Sequence, residues 1–213
     1  LYTHSQQYKT MSMMALKATA RTVQPITLTE ARDEYPDFPK TKEIWDVIYV
    51  GLAMLGILFA TFGKDIISIL THGKFEQSYI FVVFWMIFLL IQNAGKPHTG
   101  VFLALNKGVE YSRMQLGATL LSIAFLFVLV PRFGAFGAII SLFVQMIVFR
   151  VWIQISVKKH KKIPFQDHWV IFGCIFILAS FSISWFFEFS RLQNLMLLIL
   201  MYIILGFFAK KIF

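Results

Sequence analysis

The chain has little charge, almost no cysteine and no long polar stretch. Asp, Glu, Lys and Arg make up 15 % of its 213 residues, against about 25 % in a soluble domain. That shortage, with the scarcity of polar sequence, excludes a disordered chain, a coiled coil and nearly every soluble α/β enzyme. One cysteine, Cys174, lies in an apolar run. It can form no intramolecular disulfide, so a small disulfide scaffold is excluded and the thiol reads as packing. The sequence has no Cys/His ligand spacing, no glycine-rich phosphate loop and no Gly-x-Ser-x-Gly elbow. No cofactor, no metal site and no catalytic residue is therefore expected. Period-two alternation is missing as well, which argues against half-buried strands.

What remains is apolar and basic. Hydrophobic residues make up 58 %, with 24 Phe and 5 Trp, and the net charge is +9. Such a balance suits anionic lipid, an anionic substrate or basic loops on the cytoplasmic side. Nucleic acid is not an expected partner. The chain begins at Leu1 with no signal peptide before the apolar runs, so it is expected to be a fragment of a longer protein.

A bilayer core about 30 Å thick needs roughly 20 apolar residues of helix. Six runs qualify: residues 44–62, 78–95, 114–131, 133–149, 169–187 and 192–209. The expected fold is thus an all-α polytopic transmembrane bundle with short polar junctions. Among these, residues 131–132 join two spans, and the longest hydrophilic stretch is 30–43. Orientation follows from Lys and Arg in short loops. Arg32, Lys40, Lys42, Lys107, Arg113, Lys158, Lys159, Lys161, Lys162, Lys210 and Lys211 fall in one alternating set, against Lys64, Lys74, Arg132 and Arg191 in the other. The richer set is assigned to the cytoplasm, and the C-terminus with it. The basic run at 158–162 reads as a topology signal that also touches lipid headgroups.

Residues 2–29 differ from the six runs. On a helical wheel Tyr2, Gln6, Lys9, Met13, Lys17, Arg21 and Gln24 share an arc of about 120°, while the small Ala15, Ala18 and Thr22 lie opposite. Three readings stand: an interfacial amphipathic helix, an exposed tail helix, or a seventh spanning helix whose cationic stripe lines a water-filled cavity. A lipid-exposed cation at mid-membrane costs about 2.5–3.5 kcal/mol, so in the third reading the stripe must face a cavity. Lys96 supports that reading. It lies in Gln92-Asn93-Ala94-Gly95-Lys96-Pro97-His98, inside an expected helix over 78–105 that Pro97 should kink. The competing reading is that Lys96 snorkels to the headgroups. Arg150, near the end of its run, reads as snorkelling. Gly134, Gly137, Ala138 and Ser141 read as a small face for packing. Asp46, Asp65 and Glu188 fall at expected helix ends, so the deep charges are all positive and favour an anionic ligand.

The chain resembles the C-terminal part of Wzx-type polysaccharide flippases, in the multidrug/oligosaccharidyl-lipid/polysaccharide exporter superfamily. Three stretches carry the likeness, which extends to about residue 160: the opening Tyr2, Tyr8-Lys9-Thr10 and Gln24-Pro25; Phe62-Gly63-Lys64-Asp65-Ile66-Ile67, similar to a segment where a helix leaves the membrane; and Val130 to Ala138, which fits a P-x-x-G-x-x-G-A hairpin pattern. The resemblance implies a two-lobe transporter, not an enzyme, whose N-terminal lobe is missing here. Residues 1–29 would be a cavity-lining helix, 30–43 a cytoplasmic loop, 44–157 four helices of the C-terminal lobe, 158–168 a basic cytoplasmic loop and 169–213 a terminal helix pair. The implied activity is movement of a lipid-linked (polyprenyl pyrophosphate) oligosaccharide across the inner membrane by alternating access. Lys9, Lys17, Arg21 and Lys96 would attract the pyrophosphate and sugar acids, and Gln6, Gln24, Gln92 and His98 would bond sugar hydroxyls. The alternatives are a cation-coupled drug antiporter of the same superfamily and a membrane-embedded glycan polymerase or ligase.

The charge asymmetry makes a direct prediction. Reporter enzymes active only outside the cytoplasm, fused after residue 74 and after residue 162 of the full-length protein, should be active at the first site and silent at the second. The reverse pattern would overturn the assigned orientation.

Overall fold

The computed structural model describes residues 23, 25–30, 38–158, 168–187 and 189–212. They form an all-α structure with no strand among them. Seven helices are defined: α1 (Pro39–Thr71), α2 (Tyr79–Ala94), α3 (Lys96–Ala104), α4 (Gly108–Phe133), α5 (Ala135–Lys158), α6 (His168–Phe187) and α7 (Arg191–Ile212). Residues 25–30 are helical too. Six segments are long and apolar enough to cross a membrane, with α2 and α3 together making one of them. This is the pattern of a multi-pass membrane protein.

Several boundaries differ from the sequence expectation, each for a local reason. α1 starts at Pro39 rather than at 44, so the hydrophilic stretch 30–43 is partly helical. Proline suits a first helical position because its missing N–H would be unpaired there anyway. The next two N–H groups are paired by a distant carboxylate: Lys40 N donates to Glu30 Oε1 at 2.9 Å and Thr41 N to Glu30 Oε2 at 3.0 Å. Glu30, only 5 % exposed, therefore caps the positive end of α1. α1 does not stop near Lys64 but runs on to Thr71; its 33 residues span about 50 Å, more than the hydrocarbon core requires. Asp46 and Asp65 are consequently inside α1 and not at helix ends; they bracket its apolar run. The expected kink at Pro97 is a full break. α2 ends at Ala94, Gly95 is a turn, and Pro97 sits in the first turn of α3, where its missing N–H is tolerated; the bond it cannot make is the one to Asn93, at the end of α2. Pro131 and Arg132 are not a junction. α4 includes both and ends at Phe133, and the reversal occurs at Gly134, whose φ of 55° and ψ of −130° suit a residue without Cβ.

The chain divides into two compact units. Of the described residues, one holds 46–90, 168–187 and 189–212. In it α6 buries Trp169, Val170, Gly173, Ile177 and Ser180 at helical spacing. A Cβ on Gly173 would come within 2.6 Å of a Leu90 methyl and 3.1 Å of the Ala53 Cβ, and one on Gly56 would collide with Ile177. These glycines let the helices approach closely. α7 is tied to α1 by Tyr202 Oη, which donates to the Met54 carbonyl at 2.8 Å. Its start is a reciprocal capping box: Ser190 N donates to Gln193 Oε1 at 2.9 Å and Gln193 N to Ser190 Oγ at 3.4 Å.

Of the described residues the other unit holds 23, 25–30, 38–45 and 91–158, and its centre is the α4–α5 hairpin. Ser122 Oγ donates to the Ser141 carbonyl at 3.0 Å, and Trp152 covers Gly117. Gly137 lies directly on the α4 backbone; a Cβ there would meet the Leu129 carbonyl and would be 2.9 Å from Val130 N. Of the small face expected at Gly134, Gly137, Ala138 and Ser141, Gly137 and Ser141 are buried in the hairpin contact, whereas Gly134 is exposed and serves the turn. Beneath the hairpin Phe38, Val101, Phe102, Met114, Ile153 and Val157 form a buried cluster.

Two stability predictions follow from these contacts. Glu30→Ala leaves two N–H groups of α1 unpaired, that of Thr41 buried and that of Lys40 partly so, and should cost about 1–3 kcal/mol, read as a lower melting temperature in detergent. Gly137→Ala should cost about 1–3 kcal/mol because backbone must shift. Gly51→Ala, in open space within α1, should be neutral or slightly stabilising; equal effects at both glycines would refute the close-packing account.

Candidate functional site

The second unit contains a cavity of about 180 Å³ walled by four helices. Each helix contributes residues spaced to share a face. α2 and α3 give Gln92, Gly95, Lys96 and Thr99; α4 gives Tyr111, Gln115 and Ala118; α5 gives Gln145, Met146, Phe149 and Arg150. The break at Gly95 shapes this wall. With no side chain there the cavity can extend between Gln92 and Lys96, and the Gly95 carbonyl accepts from both Thr99 N and Thr99 Oγ1 at 3.0 Å, the first bonds of α3. Tyr111 and Phe149 meet edge to face, centroids 5.5 Å apart and planes at 82°. They also pack on the buried cluster below, so the floor is rigid and apolar.

The polar groups are ordered around that floor. Gln145 Nε2 donates to Thr119 Oγ1 at 2.9 Å, and Thr119 Oγ1 donates to the Gln115 carbonyl at 2.8 Å. Gln145 is thus held in one orientation. Gln92 Oε1 is buried and accepts no hydrogen bond among the described residues. A buried acceptor left unmet costs about 1–3 kcal/mol, so it invites a ligand that donates. Lys96 is exposed and Arg150 is half-buried; both line the cavity, and no carboxylate does so among the described residues. Measured along the helices from the turn at 105–107, Gln115 is about 10 Å deep and Arg150 about 12 Å from the end of α5.

Of the expected site residues, Gln92 and Lys96 come together here. His98 is 4 % exposed and does not line the cavity. Gln6, Lys9, Lys17, Arg21 and Gln24 lie outside the described residues. Sequence reasoning missed Arg150, which it treated as snorkelling, together with Gln115, Gln145 and Tyr111. One signal was available: Gln115 and Gln145 are amides inside runs otherwise free of charge, and intramembrane polar groups face protein or water rather than lipid.

Chemically the arrangement suits an anion joined to hydroxyl groups. A guanidinium and an ammonium can hold phosphate or carboxylate oxygens through charge-assisted bonds, while three amides offer donors and acceptors to hydroxyls. The volume falls below the 300–1,000 Å³ or so of a drug-sized pocket, so a phosphate or one sugar ring fits and a whole oligosaccharide does not. No family model, curated protein or solved structure matches this chain. The fold and site define a class, an all-α protein with six helices long and apolar enough to cross a membrane and a polar cationic cavity among three of those spans.

Proposed function

We propose that the chain is part of a transporter that moves a lipid-linked oligosaccharide across the inner membrane, with its C-terminus in the cytoplasm, by alternating access and with no bond broken. The single observation behind this reading is that Lys96 and Arg150 line a cavity with three glutamines and no carboxylate among the described residues. An anionic pyrophosphate or sugar acid would sit between the two cations, and adjoining hydroxyls would meet Gln92, Gln115 and Gln145. The lipid tail would stay in the bilayer while the headgroup passes. Lys9, Lys17 and Arg21, outside the described residues, are further cations that the flippase resemblance assigns to the same anionic substrate. The resemblance to the flippases supplies the substrate class, and the cavity chemistry agrees with it.

The test is export in cells that carry the full-length protein. Lys96→Gln and Arg150→Gln should each reduce surface polysaccharide, and the pair together by about tenfold or more, since each removes a charge-assisted bond. Charge reversal at Lys17 should do more harm than at Lys159. Normal polysaccharide with normal protein levels in the double variant would overturn the reading. Asp46, 5 % exposed, is the group that a cation-coupled antiporter would use. Loss of cationic dye export in Asp46→Asn, with polysaccharide unchanged, would favour that alternative.

A further inference from the structure

The first unit has a larger cavity, about 860 Å³ and open on one side, where α1, the 76–80 segment, the end of α6 and the start of α7 meet. Its chemistry differs from that of the cationic cavity. Two cations, Lys64 and Arg191, face two carboxylates, Asp65 and Glu76, across a wall that also carries the aromatic rings of Tyr79 and Trp185. The charges balance, so the site has no preference for a net anion. It is suited to a ligand that carries both signs.

We propose that this cavity binds the headgroup of an ammonium-bearing zwitterionic phospholipid, a phosphatidylethanolamine. Three observations lead there. The first is position. Lys64 and Asp65 close the longest uncharged apolar run of α1, and Arg191 is the first residue of α7, so charge collects here at the ends of two apolar runs of spanning length, as expected where helices leave hydrocarbon. That is the level at which headgroups lie and at which Trp and Tyr collect. The second is the aromatic wall. Tyr79 and Trp185 stack with centroids 5.9 Å apart and planes 26° from parallel, and Trp185 is 49 % exposed, leaving ring surface for an ammonium to rest on. The third is the state of the charges. Asp65 and Arg191 are 3.6 Å apart with the Arg191 side chain 84 % exposed, and exposed pairs of this kind contribute about 0–1 kcal/mol. A phosphodiester can therefore take Arg191 and Lys64 at little cost, while the ammonium takes the carboxylates. Glu76 Oε1 accepts from Ser68 Oγ at 2.7 Å, which holds the carboxylate in place and leaves its other oxygen to accept. A primary ammonium has three N–H donors to offer these carboxylates, and a quaternary one has none. The exposed Phe186, Phe187, Leu192 and Met196 nearby supply an apolar surface for acyl chains.

The inference does not rest on the transport reading, because it is tested by binding. Purified full-length protein in detergent is titrated with short-chain phosphatidylethanolamine, phosphatidylglycerol and phosphatidylcholine, and its melting temperature is followed. Phosphatidylethanolamine should stabilise the protein at concentrations about tenfold lower than the other two. Glu76→Gln should abolish the preference over phosphatidylcholine, and Lys64→Gln with Arg191→Gln should weaken all three lipids together. Trp185→Leu should weaken the two ammonium lipids relative to phosphatidylglycerol; it removes no internal hydrogen bond, so it remains informative if Glu76→Gln folds poorly. Equal stabilisation by all three lipids, or an unchanged advantage of phosphatidylethanolamine over phosphatidylglycerol in Trp185→Leu, would overturn the proposal. So would stabilisation by a neutral oligosaccharide in place of the lipid, or by glycerophosphoethanolamine as strongly as by the lipid itself.

Discussion

Hydrocarbon offers no water to pair with a peptide N–H or C=O, and each such group left alone costs several kcal/mol. Every described segment long enough to span answers this in the same way, as a helix that closes its own backbone bonds. The side chains follow the same constraint. Thr61, Thr71, Thr99, Thr119, Ser141 and Ser180 each return a hydroxyl to the carbonyl four residues earlier. A hydroxyl satisfied in this way can lie in an apolar helix at little cost. Polar groups that cannot be satisfied within one helix must be paired across helices, as Ser122 is with Ser141 and Tyr202 with Met54.

The helix ends obey the same requirement with other means. The four N–H groups at a helix start have no internal partner. α1 meets this with Pro39 and a buried Glu30, and α7 with the Ser190 and Gln193 pair. Where the chain reverses without such caps, it uses unusual backbone. His72 and Asn106 take positive φ values of 52° and 56° at the ends of α1 and α3, and the following N–H groups bond back to Ser68 and Phe102. Gly134 does the equivalent for the hairpin. The two cavities occur where this satisfaction is incomplete or where charges gather: at the break between α2 and α3, and at the mouth between α6 and α7.

Much of the fold was legible from local features. Six apolar runs of spanning length, the small face at Gly137 and the disruption around Pro97 each depend on residues close in sequence. The errors had a common source in longer contacts. Pro39 could not be recognised as the start of α1 because Glu30, which caps the helix through Lys40 N and Thr41 N, lies ten and eleven residues from them. Pro131 looked like a terminus because proline breaks helices, but only one backbone bond is lost near the end of α4 and Gly134 makes the turn. For the cationic cavity, Gln92 and Lys96 were identified from their place beside a kink. The place of Arg150 on the cavity wall was not legible, because a single helix near a basic loop looks the same whether its cation reaches the headgroups or a neighbouring helix.

The sequence by itself determined the class: an apolar chain of helices with its cations sorted by position, because hydrophobic length and helical backbone pairing are local quantities. Only the tertiary structure decided which polar residues meet. Gln92, Gln115, Gln145 and Arg150 are separated by up to 58 positions, and their convergence depends on which faces the helices turn toward each other. Side-chain volume, close glycine contacts and the break at Gly95 set those faces, and none of these has a periodicity that can be read along one strand of sequence.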